Sequence, residues 1–216
     1  FFSRGNPGSV NNLSFCGSTT AFVLKANCVT LRDASNSLIT INPLPGNDYL
    51  PELTNIITNY GVNGRDTASV FGSDIWVYFY WIWDGTTLAS LSSASYKTKG
   101  GEGATLPEGY THWCLAAIIR LTSSALPTFG FMRGNTFYYD RQITIASGQS
   151  NTTESTINMA TFVPPETLHW NGNLEIGVLH GVAAAQAHYN LRVTTGVDYI
   201  RPTINTGATA TTNYTS

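Results

Sequence analysis

Residues 75–83 read IWVYFYWIW, nine apolar or aromatic residues in a row between Asp74 and Asp84. Such a run has no polar side to offer water, so it reads as a strand buried on both faces. β-branched and aromatic residues fit a pleated, crowded surface. The Asp84-Gly85 pair that follows is a turn signal. The run is too short to cross a bilayer as a helix. Either a second sheet or an assembly surface would bury its second face, and that choice separates a lone domain from a subunit.

Working outward, Thr87–Ser92 is the expected hairpin partner of this strand, across Asp84-Gly85-Thr86. His112–Leu121, HWCLAAIIRL, reads as a second strongly buried strand. Between them Ser92–Gly109 is a long polar connection containing GGEG and LPEG. Loops of that length in a domain are often functional. Upstream, Ala21–Lys25 and Cys28–Arg32 read as a hairpin turned by Ala26-Asn27, and Leu38–Ile41 and Leu53–Tyr60 as further strands. Downstream come Pro127–Met132 and Thr136–Tyr139, turned by Gly134-Asn135, then Gln142–Ala146, Ile157–Val163, Leu174–His180 and Ala187–Val193. GVAAAQAH, residues 181–188, has the composition of a helical turn.

Roughly ten to twelve short strands at near-regular spacing, with no long amphipathic helix, predict an all-β protein, an antiparallel β-sandwich or jelly roll with extended terminal arms. The expected organisation is an N-terminal arm (1–19), one β-sandwich domain (20–200) and a C-terminal arm (201–216). Both arms are rich in Gly, Asn, Ser or Thr. The chain opens on Phe1-Phe2 without an initiator Met and shows no signal peptide, so preceding residues are expected.

Only 11% of the 216 residues are charged, against about 25% in a typical soluble domain. A surface of Ser, Thr, Asn and Gly repels copies of itself weakly and is cheap to desolvate on assembly. With 11 basic and 13 acidic residues and no basic cluster, nucleic acid is not an expected partner. Membrane insertion is not expected either. Cys16, Cys28 and Cys114 form no CxxC pair and read as free thiols, although Cys16 and Cys28 stand where neighbouring strands could join them. The sequons at Asn12, Asn151 and Asn213 are as common as chance predicts in so Asn- and Thr-rich a chain.

No catalytic signature emerges: there is no GxSxG, no phosphate loop and no HExxH. Glycan hydrolysis would need two carboxylates at controlled separation. Asp74, Asp84, Glu102, Glu108, Glu154, Glu166, Glu175 and Asp198 offer carboxylates without a marking context, and Asp74 and Asp84 read as turn caps. Among His112, His169, His180 and His188, only His180 and His188 could approach each other, and no third ligand supports them. No metal and no cofactor is expected. The candidate ligand contacts are Trp170, Asn171 and Asn173, an aromatic platform beside amides, together with Tyr96. This is chemistry that suits a sugar, though Asn171-Gly172 also suits a hairpin turn.

The central span carries NGRDTASVFGSDIWVYFYWIW, then DGTTLASLSSAS, then TLPEGYTHWCLAAIIRL, then FGFMRGNTFYYD. In that order these motifs resemble a β domain of tailed-bacteriophage virion proteins, found in tail fibres and other surface appendages. Asn63-Gly64-Arg65-Asp66 fills the family's NGLD-like loop, Trp76 and Tyr78 its aromatic strand, and Leu106-Pro107-Glu108-Gly109-Tyr110 its LPxGY loop. The resemblance covers Asn63 to Asp140, about a third of the chain. It departs from the family at His112-Trp113-Cys114, where basic residues are usual. It implies a virion location more than an activity: a non-enzymatic structural subunit, in a tail or surface appendage, assembling as a trimer of copies of itself with other virion proteins. The alternatives are a receptor- or carbohydrate-binding module meeting a host-surface glycan, a capsid or decoration protein, and a glycan-cleaving enzyme.

Overall fold

The computed structural model describes residues 13–98 and 100–122, Pro164, and the strand segments 2–3, 9–11, 127–128, 130–133, 136–139, 169–170, 173–177, 186–188, 191–192, 199–200, 203–205 and 211–215. The chain forms two compact units, Phe1–Trp170 and Asn171–Ser216. It is all-β: every regular element among the described residues is a strand. The first unit contains β1 (Phe2–Ser3), β2 (Ser9–Asn11), β3 (Ser14–Gly17), β4 (Ala21–Lys25), β5 (Cys28–Arg32), β6 (Leu38–Ile41), β7 (Leu53–Ile56) and β8 (Gly64–Arg65). It continues through β9 (Trp76–Trp83), β10 (Leu88–Ser93), β11 (His112–Leu121), β12 (Pro127–Thr128), β13 (Gly130–Arg133), β14 (Thr136–Tyr139) and β15 (His169–Trp170). The second unit contains β16 (Asn173–Gly177), β17 (Gln186–His188), β18 (Leu191–Arg192), β19 (Tyr199–Ile200), β20 (Thr203–Asn205) and β21 (Thr211–Thr215).

The aromatic run is the heart of the largest sheet, whose order is β2-β5-β11-β9-β10-β8, with β6 added on β5 and β12 on β11. Seven of the eight residues of β9 are buried and Trp83 partly so. β10 pairs antiparallel with it from Leu88↔Trp83 to Ser93↔Tyr78, as the turn residues foretold. Gly85 takes φ of 106°. The Asp84 carboxylate accepts the Thr86 and Thr87 N–H groups at 2.7 and 2.6 Å, closing the turn. On the other side β11 runs antiparallel from His112↔Trp83 to Arg120↔Trp76, with a bulge between Leu115 and Ala117. Small Ala117 stands opposite Phe79, leaving volume for the ring.

The chain itself covers both faces of β9. On one face Phe79 meets Phe15 and Phe22, ring centroids 5.1 and 4.9 Å away, from a second sheet of order β3-β4-β7. On the other, Tyr78 lies 6.0 Å from the Tyr96 ring, and the Tyr80 hydroxyl accepts the Lys97 N–H at 2.8 Å. Tyr96 and Lys97 belong to the long connection after β10. Each fully buried ring contributes about 1.5–3 kcal/mol relative to exposure, so double-sided coverage makes β9 the main stabilising element. An assembly surface is not needed to bury it.

The expected hairpin at Ala26-Asn27 does not form. β4 pairs with β3 and β7 in the second sheet, whereas β5 pairs with β2, β6 and β11 in the first. Ala26, fully buried, carries the chain from one sheet to the other, and its carbonyl accepts the Leu50 N–H. Both strands bury alternate residues, Phe22 and Leu24 in one, Val29 and Leu31 in the other. That alternation is the same for a hairpin and for two strands facing one core from opposite sheets.

A third sheet of order β13-β14-β1-β15 joins Phe2 to Phe137 on one side and Trp170 on the other. β13 and β14 pair antiparallel, as expected of strands flanking Gly134-Asn135. The stretches read as arms contain paired strands: β1, β2 and β3 in 1–19, β20 and β21 in 201–216. In the second unit β16 pairs with β21, β17 with β20 and β18 with β19, three nested antiparallel ladders. Gln186–His188, within the expected helical turn, is strand instead. Gln142–Ala146 and Ile157–Val163 lie outside the described residues.

Candidate functional site

Two loops concentrate the polar chemistry of the first unit, and each is organised by a buried cation. The first is built on Asn63-Gly64-Arg65-Asp66. Asn63 adopts φ of 59°, the left-handed region that Asn tolerates better than most residues. Its Oδ1 accepts the Ser90 N–H at 2.9 Å and the Ser90 hydroxyl at 3.0 Å. Gly64 leaves no room for a side chain, since a Cβ would sit 2.5 Å from the Asn59 carbonyl oxygen. Its own carbonyl accepts Ser92 Oγ and Asn55 Nδ2 at 3.0 and 3.2 Å. β8 thereby lies parallel to β10, Leu91 beside Gly64 and Ser92 beside Arg65, and shields the outer edge of the sheet.

Arg65 is only 4% exposed. Its guanidinium donates to the carbonyls of Ile57 (2.7 Å), Ala68 (3.0 Å) and Thr67 (3.4 Å), and lies over the Phe71 ring at 6.0 Å. A planar fork with five donors suits three carbonyls arrayed around one loop. Asp66 accepts from Ser93 Oγ at 2.6 Å and from the Thr105 N–H at 3.2 Å, joining this loop to the second. Every residue of the motif is thus engaged inside the protein. The side chains turned outward nearby are Tyr60, Val62 and Val70.

The second loop is the connection 94–109. Lys97, 6% exposed, donates from Nζ to the carbonyls of Gly101 and Ala104, both at 2.7 Å, and lies 4.8 Å from the Trp113 ring. Burial pulls its pKa below the ordinary lysine value, while the Asp66 carboxylate opposes that shift. Gly103 has φ of 96°, and a Cβ there would overlap the Tyr96 carbonyl. The loop ends in a tight turn, Tyr110 N–H to Pro107 carbonyl with Gly109 at φ of 85°. The Tyr110 ring is partly buried against the core. Burial, followed by the Asp84 charge, raises its pKa.

The sequence-derived ligand contacts are not brought together by any described contact. Tyr96 is partly buried against Tyr78. Trp170 closes β15, pairing with Phe2. Asn173 opens β16, pairing with Thr215. Asn171 lies outside the described residues. Asp84 caps its turn, whereas Asp74 takes φ of 57° and pairs with the sequence-distant Arg120 at 3.1 Å. Arg120 also lies over the Trp76 ring at 5.7 Å. His112 Nδ1 is 2.9 Å from Thr111 Oγ1. Cys16, Cys28 and Cys114 are free thiols, as read.

The chain matches no known family model, curated protein or solved structure. Among the described residues no group of three His, Cys, Asp or Glu side chains is placed to hold a metal ion. No helix there is long and apolar enough to cross a membrane. Sequence reasoning missed the burial of Arg65 and Lys97. The available signal was the glycines beside them, at positions 64, 101 and 103, which admit close backbone approach.

Proposed function

We propose that the chain is a non-enzymatic structural subunit of a phage virion, in a tail or surface appendage, whose first unit is a β-sandwich or jelly roll. The observation that carries the assembly reading is the second unit. Its ladders are two-stranded, β16-β21, β17-β20 and β18-β19, with no third strand among the described residues. A lone two-stranded ribbon is marginal in water, so it requires a surface to rest against. In this reading, copies of the same chain provide that surface, three to an assembly.

Three further features support the proposal. The register puts apolar residues opposite one another in each ladder: Leu174 with Tyr214, Ala187 with Ile204, Leu191 with Ile200. The sparse charge of the chain suits close packing of copies. The motifs that resemble phage appendage domains are used as internal latches, which fits a scaffold. Other virion proteins, and a host-surface glycan met by the particle, are the partners this role entails.

Light scattering of the chain at micromolar concentration tests the reading. The expected mass is three times the 23.4 kDa of one chain. A monomer whose residues 171–216 resist proteolysis would overturn it, because the ribbon would then be stable without neighbours.

A further inference from the structure

The connection 94–109 does more than link two strands. It covers the face of the central sheet that carries Tyr78, Tyr80 and Trp113. Tyr96 packs on Tyr78. The Lys97 N–H donates to the Tyr80 hydroxyl, which itself reaches the Ser95 carbonyl at 3.3 Å. Lys97 Nζ then folds the loop on itself through Gly101 and Ala104 and sits over Trp113. Beyond this, Thr98 N–H to Glu102 carbonyl closes a small turn, and Thr105 N–H to Asp66 fastens the far end.

We propose that residues 94–98 and 100–109 form a strap that opens and closes as one unit over this aromatic face, and that Lys97 is its catch. The reasoning is one of connectivity. The carbonyls of Gly101 and Ala104 take their described side-chain hydrogen bonds from one amine, and Ala104 is itself buried. Removing that amine frees two carbonyls at once, and the buried Ala104 carbonyl, left without that donor, opposes closure. The sheet beneath does not depend on the strap for its ladder, because β9 is hydrogen-bonded to β10 and β11 along its length. The strap can therefore lift while the sheet persists, uncovering two tyrosines and a tryptophan as an apolar, ring-rich surface.

Amide hydrogen exchange of the full chain tests this. The reporters are the N–H groups of Lys97, Thr98 and Thr105, each bonded within the strap or to its anchors. In Lys97→Met the expected result is exchange about tenfold or more faster at these three amides, with Trp76–Trp83 unchanged. Unchanged strap exchange, or equal acceleration in strap and strand, overturns the proposal. Should that variant not fold, the native chain gives the answer in rising urea. The three amides should then share one opening free energy, lower than that of Trp76–Trp83. Three different values, or a value equal to that of the strand, overturns the strap as a unit.

Discussion

The loop around Arg65 and the strap around Lys97 solve the same problem with different cations. Each is a long connection at the central sheet, each buries a positive charge, and each satisfies neighbouring backbone carbonyls. Arg65 spreads three bonds over Ile57, Thr67 and Ala68 in one plane and holds the parallel strand that seals the sheet edge. Lys97 gives two bonds to carbonyls of its own loop and rests on a ring. A guanidinium stays charged at any ordinary pH, whereas a buried amine titrates. The first loop is therefore built into the sheet, and the second is laid over it.

The largest effect should come from Arg65→Met. It strands the buried Ile57 carbonyl, releases those of Thr67 and Ala68 and loosens the edge seam through Asn63 and Ser90, so the expected loss is about 3 kcal/mol of global stability, measured by urea unfolding. A loss below about 1 kcal/mol would show that the Arg65 loop is as dispensable as the strap. Gly64→Ala should follow, at about 2 kcal/mol, because a Cβ meets the Asn59 backbone. Lys97→Met should cost about 1–2 kcal/mol, less than Arg65→Met; the reverse order would invert the comparison.

Alkaline pH sharpens the contrast. The folded pKa of Lys97 lies below its unfolded value of 10.5. In the window between them the unfolded chain binds more protons, so the Lys97 contribution makes stability rise with pH. The difference between native chain and Lys97→Met, followed by urea midpoint, should grow across that window. Tyr110 acts with the opposite sign. Its raised pKa means the unfolded chain ionises first, and stability falls as pH passes the ordinary tyrosine value of 10.0. Tyr110→Phe should remove that fall. The smallest effect is expected from Asp84→Ala, in the exposed hairpin turn, where the thermal midpoint should drop slightly with the sheet intact.

Legibility in the sequence followed locality. IWVYFYWIW and HWCLAAIIRL announce their burial because every residue in them says the same thing, and the turn at Asp84-Gly85 is chemistry within four residues. The crossing at Ala26-Asn27 was not legible, since inward alternation in β4 and β5 is identical whether the strands are partners or face each other. Lys97 was hidden for another reason. Its burial rests on Trp113 sixteen residues away, and the glycines at 101 and 103, which mark a close backbone approach, do not say what lies beneath. Trp170 and Asn173, close in sequence, are the termini of separate strands, β15 pairing Trp170 with Phe2 and β16 pairing Asn173 with Thr215.

One chain covers both faces of β9, by the β3-β4-β7 sheet and by the strap. Hydrogen exchange at the amides of Trp76–Trp83, measured from micromolar concentration down through complete dissociation of any oligomer, tests it most directly. Their protection should be independent of concentration. Protection that vanishes on dilution would mean that a neighbouring molecule, and not this chain, keeps the aromatic strand from water.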